Sequence, residues 1–69
     1  MPVAKVIQII GHSSESFARA ADEAVQEATK TLRGITGADV VSMSADVADG
    51  RISNFKTTVN IAFAVEGTD

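Results

Sequence analysis

The chain has 69 residues, contains no cysteine and carries a formal net charge of −3. A chain this short permits one domain, spanning 1–69, and the missing cysteines exclude disulfide bonds and thiolate metal sites. The negative balance argues against nucleic-acid binding, because phosphate contacts need clustered Lys and Arg, whereas the six basic residues are dispersed along the chain.

The first predicted element is a strand over 3–10. Its sequence, VAKVIQII, is rich in β-branched residues and is followed by Gly11. The next stretch, HSSES, offers a helix start with Ser13 as the N-cap and Glu15 in the first turn, where negative charge is favourable.

A helix is predicted from Phe17 onward by the spacing of its apolar residues. They recur three or four positions apart at Phe17, Ala21, Ala24, Ala28 and Leu32. The helix therefore has one buried face and one solvated face, and the solvated face carries Arg19, Asp22, Glu23, Gln26, Glu27 and Lys30. Gly34 follows two basic residues and fits a left-handed cap at the end of this helix.

Two further strands are predicted after Gly34. In the first, apolar Val41, Met43, Ala45 and Val47 alternate with polar residues. An Asp49-Gly50 turn then signals a hairpin.

The last strand places alternate residues on one, mostly apolar face, namely Phe55, Thr57, Val59, Ile61, Phe63 and Val65. Because Ile52 falls on the opposite parity from Phe55, we expect a bulge near Ser53 and Asn54.

The order β-α-β-β predicts an α+β protomer. A right-handed crossover makes the first two strands parallel, and the last strand then lies between them, antiparallel to both. One helix covers one face of this three-stranded sheet. The surfaces left uncovered are expected to meet other copies of the chain.

Self-association is also expected from the size of the chain. Small domains without disulfides usually need a metal or a partner, and one histidine cannot build a histidine-rich metal site. We therefore expect an obligate homo-oligomer. No secretion signal or membrane-spanning apolar run is visible, so a soluble, cytoplasmic protein without a membrane partner is the expectation.

The sequence resembles the dodecin family over almost its full length. The resemblance rests on VAKVIQIIGHSSESF, on the helix end ATKTLRGI, on ADVVSMSADVADGRI and on the closing FKTTVNIAFAVEG. It implies a sheet that wraps its helix, a hollow homododecamer, and flavin bound in antiparallel pairs between protomers. Typical members store or quench the flavin and do not turn it over, so no enzymatic activity is expected.

The resemblance assigns the flavin site to Thr36, Gly37, Ala38, Phe55 and Lys56. Gly37 stands where typical members carry a tryptophan that stacks on the ring. Such an aromatic would bury about 150 to 250 Å², worth about 4 to 6 kcal/mol before ordering costs. Lys56 replaces a glutamine, and it can donate to ring carbonyls but cannot accept from a ring N–H.

Other polar groups have structural interpretations. His12 beside Ser13 and Ser14 offers a nucleophile and a base, but adjacent residues at a strand-to-helix turn favour capping over catalysis.

Carboxylates that could hold a hard cation occur as Asp22, Glu23 and Glu27, and as Asp46 with Asp49. Neither group has the ordered spacing of a cation-binding loop, so no metal site is predicted.

Three functions follow from the sequence. The first is a shell that sequesters flavin, either riboflavin or FMN. The second is a similar shell that holds no flavin and serves as a structural, small-ligand or cation-holding assembly. The third, an enzyme, has no visible nucleophile site, acid-base pair or phosphate loop. The charge of −3 on each chain favours neutral riboflavin over phosphorylated FMN through repulsion.

Overall fold

The fold is the predicted β-α-β-β arrangement. A computed structural model describes residues 3–65; residues 1, 2 and 66–69 of the predicted domain, and with them Glu66 of the closing motif, lie outside this range. The elements are β1 (Ala4–Ser13), α1 (Phe17–Thr29), β2 (Ile35–Ala48) and β3 (Arg51–Ala64). β3 lies between β1 and β2 and pairs antiparallel with both, which confirms the predicted strand order.

β1 is longer than predicted because it continues through Gly11. Gly11 pairs with Thr57 and Ser13 pairs with Phe55, so the ladder runs to the residue where the turn begins. A Cβ placed on Gly11 would lie 1.8 Å from the backbone oxygen of Ala20. Glycine is therefore needed at this position because the backbones of α1 and β1 touch, and it does not end the strand.

The N-cap of α1 is Ser16, and the prediction of Ser13 is wrong. The Ser16 Oγ accepts a hydrogen bond from the Arg19 backbone N–H at 3.0 Å. The Ser13 Oγ accepts from the Glu15 N–H at 2.9 Å in the turn that precedes the helix. Glu15 consequently lies before the first helical residue, and its carboxylate pairs with Arg19 at 3.3 Å.

The helix also ends earlier than predicted. Its last residue is Thr29 and its C-cap is Lys30, so Leu32 and Gly34 lie beyond it. Gly34 does adopt the left-handed conformation, with φ of 72°, but it serves the connection to β2. Its carbonyl oxygen accepts from the Ala64 N–H at 2.9 Å, which ties this connection to the end of β3.

The core consists of small helix residues against the central strand. Ala20, Ala24 and Ala28 are buried together with Val59 and Ile61 of β3. Ala20 is absent from the predicted apolar stripe, in which Ala21 and Leu32 prove to be partly buried. Alanine suits this face because a helix without long side chains can lie close to a sheet.

One buried polar group is accommodated in this contact. Thr57 is 1% exposed, and its Oγ1 donates to the Phe17 carbonyl oxygen at 2.9 Å. The bond links the middle of β3 to the first residue of α1, so the buried hydroxyl is satisfied.

The β2–β3 hairpin has the predicted turn. Asp49 and Gly50 have φ of 55° and 73°, as a two-residue hairpin turn requires, and Ala48 pairs with Arg51. The expected bulge is confirmed, because the ladder shifts between the pairs Asp46↔Asn54 and Val47↔Ile52 and leaves Ser53 as the extra residue.

A bulge that the sequence did not predict lies in β2. Val40 pairs with Val59 and Ser42 with Thr58, so Val41 is an extra residue. As a result Val40 stands opposite the buried Val59, whereas the predicted apolar face began at Val41. The bulge therefore interrupts the alternation of apolar and polar side chains in the middle of β2.

The contact between Gly11 and Ala20 makes Gly11→Ala a destabilising change. Since the obstructing atom is backbone, α1 must move away from β1, and we expect a loss of about 1–3 kcal/mol in the free energy of unfolding. Denaturant unfolding at fixed protein concentration measures it. Gly37→Ala is the matched control, because a Cβ there meets no atom within 4 Å. Equal stability of the two variants would contradict the close approach.

Candidate ligand-binding face

The candidate site lies on the sheet face that points away from α1. This outer face alternates with the buried positions of β3 and therefore includes Lys56, Thr58, Asn60 and Ala62. The cross-strand partners of these four residues, on β1 and β2, share the face. The outer face is mostly polar, and Gln8 donates to Asn60 across it at 3.0 Å.

Two of the predicted site residues lie at opposite ends of the outer face. Gly37 pairs with Ala62, and Lys56 pairs with Ser44. Ala62 lies six positions after Lys56 on β3, which corresponds to about 20 Å along the strand. One protomer therefore does not bring Gly37 and Lys56 together.

The other predicted site residues do not share this face. Ala38 pairs with the buried Ile61, which places it on the helix side of the sheet. Phe55 lies on the helix side too, where its ring packs edge to face on Phe17 with 4.9 Å between centroids. Thr36 has no pairing partner on β3, because the register of the ladder shifts between Ile35 and Gly37.

Gly37 leaves open space at the start of β2. No heavy atom outside its chain neighbours lies within 4 Å of where its Cβ would be. The adjacent Thr36 and Ala38 are exposed as well. This end of the outer face is thus accessible and carries no aromatic side chain.

At the other end, a hydrogen-bonded network surrounds Lys56. The Lys56 Nζ lies 2.9 Å from Oδ1 of Asp46, and the Asn54 amide Nδ2 donates to Oδ2 of Asp46 at 3.3 Å. The same Nδ2 lies 3.2 Å from Nδ1 of His12. The sequence placed Asp46 beside Asp49 as a carboxylate pair and missed its partner Lys56, because the pairing depends on the register of the hairpin.

The network shifts the acidity of Asp46. The hydrogen bond from Lys56 is the main cause and that from Asn54 the second, and together they lower the pKa of Asp46 from its ordinary value of 3.8. Asp46 is therefore a carboxylate at neutral pH, paired with an ammonium group.

The remaining carboxylates do not form a metal site within residues 3–65. No group of three or more metal-ligating side chains occurs in that range. Glu27 pairs with Lys30 at 3.1 Å, and Asp22 accepts a hydrogen bond from Gln26. These contacts occupy two of the three helix carboxylates that the sequence offered to a cation.

Large apolar side chains are exposed on β2. Val40, Met43 and Val47 are 54%, 59% and 68% exposed. Val40 pairs with Val59 and Met43 pairs with Thr57, so both lie on the helix side of the sheet, where α1 leaves them more than half exposed. An apolar surface of this kind is typical of a protein–protein contact.

In the part of the chain that the structure describes, no helix is long and apolar enough to cross a membrane.

The chain is thus a small α+β protein with an exposed apolar surface on β2 and a mostly polar outer face. The sequence profile of the Dodecin family matches residues 3–66. The chain therefore belongs to the dodecin family, whose members are non-enzymatic ligand-binding proteins and known homododecamers that typically bind flavin.

Solved dodecin structures share the fold. A mutant dodecin from T. thermophilus has 25% identity and a TM-score of 0.93, with 99% of this chain and 100% of that chain covered. The dodecin of Streptomyces coelicolor has 22% identity and a TM-score of 0.92, covering 97% and 96%. That of Streptomyces davaonensis has 24% identity and a TM-score of 0.91, covering 96% and 97%. Among proteins with curated descriptions, none matches the chain.

The lowered pKa of Asp46 predicts a pH-dependent contribution to stability. A carboxyl group whose pKa falls on folding stabilises the fold above its unfolded pKa of about 3.8 and loses that contribution as the pH falls through its folded pKa. Between pH of about 5 and about 2, the unfolding free energy should decrease less steeply in Asp46→Asn than in the parent chain. Urea unfolding at each pH and one protein concentration measures the slopes.

Asp49→Asn is the control for this change. It removes the same charge from the same hairpin, and asparagine tolerates the left-handed conformation of position 49. Its slope should follow that of the parent. A shallower slope in both variants would mean that net charge, and not the bond to Lys56, causes the effect.

Proposed function

We propose that the chain forms a homododecameric shell that binds and sequesters flavin without turning it over. The observation that carries this proposal is the separation of Gly37 and Lys56 by about 20 Å on one outer face. A site containing both residues needs a second copy of the chain, as in flavin binding between protomers. A cytoplasmic location stays a prediction from the sequence.

Assembly is supported by the balance between buried and exposed apolar surface. Within residues 3–65 the buried hydrophobic residues are Ala20, Ala24, Ala28, Val59 and Ile61, three of which are alanine. Nine large hydrophobic residues are exposed in the same range. Burial of apolar surface stabilises by about 25 cal/mol per Å², so covering these side chains with other copies supplies what the small core lacks.

Flavin as the ligand is supported by family membership and by the open outer face. Phe55 lies on the helix side against Phe17, so it does not contact a flavin ring on the outer face of its own protomer. In the proposed assembly, Phe55 would contact a flavin only at the interface with a second protomer. Riboflavin is favoured over FMN by the charge of −3 on each chain, which repels a phosphate group.

A second candidate is a shell of the same architecture that holds no flavin. The open space at Gly37 favours it, since no side chain there stacks on a ring. Such an assembly would serve a structural role or hold a different small ligand or a cation.

Assembly through β2 is tested by Met43→Glu. A charge at this exposed apolar position would be buried at the contact between copies, so the native mass should fall from about 86 kDa, for twelve chains of 7.2 kDa, to smaller species. Ala18→Glu adds the same charge to an exposed position of α1 and should leave the mass unchanged. Native mass spectrometry decides. A parent mass near 7.2 kDa would contradict assembly itself.

Flavin binding is tested by quenching of riboflavin fluorescence in the parent and in Gly37→Trp. A Cβ at position 37 meets no atom within 4 Å, and ring stacking is worth about 1–3 kcal/mol, so the affinity should rise about tenfold or more. Gly37→Leu adds apolar surface without a ring and should give a smaller gain. A parent that leaves riboflavin unquenched would favour the second candidate. An equal gain from leucine would contradict stacking.

A further inference from the structure

The ion pair of Lys56 and Asp46 places a donor and an acceptor side by side on the outer face. The Nζ and Oδ1 atoms are 2.9 Å apart, and both side chains remain open to solvent, at 31% and 53% exposure. An ammonium group has three donors, and a carboxylate has about four lone-pair sites. After their mutual bond and the bond from Asn54 to Oδ2, each group keeps unused hydrogen-bonding capacity.

The chemical complement of such a pair is a planar group with a carbonyl next to an N–H. A cyclic imide, like that at the pyrimidine edge of a flavin ring, presents this arrangement. The ammonium of Lys56 donates to an imide carbonyl, and the carboxylate of Asp46 accepts from the imide N–H. Lys56 alone supplies only the first of these bonds, because it has no acceptor.

We propose that Asp46 is a specificity-determining residue that accepts a hydrogen bond from the N3–H of the flavin while it holds Lys56 in place to donate to the adjacent carbonyl. This inference rests on the proposed flavin-binding function and names the residue that reads the imide edge. It adds Asp46 to a site that the sequence assigned to Lys56 without an acceptor.

Neighbouring groups hold the carboxylate in this position. Asn54 donates to Asp46 Oδ2 and lies beside His12, and Lys56 approaches Oδ1. Each carboxylate oxygen therefore has one protein donor that fixes its direction. A preorganised acceptor loses less conformational entropy on binding than a free aspartate.

The test uses two neutral flavins, lumiflavin and 3-methyllumiflavin, which differ in the N3–H. We expect the assembled parent protein to bind lumiflavin at least about tenfold more tightly, because the methylated ring leaves the carboxylate unpaired. In Asp46→Ala the ratio of the two dissociation constants should fall to within about twofold. Asp49→Asn, which removes the same charge from the same hairpin, should keep the ratio of the parent.

A second readout is the ionisation of N3 in bound lumiflavin, followed by its absorption spectrum. Removal of the carboxylate leaves the ammonium of Lys56 beside N3, so the pKa of N3 should be lower in Asp46→Ala than in the parent. A purely structural effect of the substitution would weaken both flavins equally and leave this pKa unchanged.

Each outcome of these measurements is decisive. A parent that binds both flavins equally, or a ratio that survives Asp46→Ala, overturns the role of Asp46 while flavin binding stands. If the parent protein quenches the fluorescence of neither flavin, the proposed function is overturned, and the role of Asp46 is overturned with it. Loss of discrimination in Asp46→Ala alone supports the assignment.

Discussion

The close approach of α1 to β1 is the constraint on which the rest of the structure depends. It requires glycine at position 11, where any Cβ would strike the backbone oxygen of Ala20, and it requires alanine along the buried face of the helix. A helix this thin and this close covers β1 and β3 and leaves most of β2 uncovered. The apolar residues of β2, such as Met43, therefore remain exposed in the protomer, where the proposed assembly would cover them.

The same arrangement determines where a ligand can bind. Because α1 occupies one face of the sheet, the polar outer face is left for a ligand, and β3 as the central strand sets its geometry. Gly37 and Lys56 lie at opposite ends of that face. In the proposed assembly, a site that contains both residues would therefore form between two protomers. An exposed ion pair contributes little to stability, and in the proposed site the pair of Asp46 and Lys56 presents a donor and an acceptor side by side.

Local signals in the sequence predicted much of the fold. The spacing of apolar residues located α1, the Asp-Gly turn located the hairpin, and the parity change after Ile52 located the bulge at Ser53. The predictions were wrong where two residues offer the same local signal. Ser13 and Ser16 both offer a capping hydroxyl, and the strand pairing of Ser13 with Phe55 leaves Ser16 as the cap. The bulge at Val41 has no signal in the sequence, because it depends on register with β3.

The candidate site was only partly accessible to sequence reasoning. The sequence by itself determined the order of elements, the size of the core, the absence of an aromatic at Gly37 and the missing acceptor at Lys56, since these depend on residue type and spacing. Only the tertiary structure decided that Gly11 is a point of backbone contact, that Phe55 lies on the helix side and that Asp46 is the partner of Lys56. The physical reason is that these features arise from strand register and from the distance between helix and sheet, which join residues far apart in the chain.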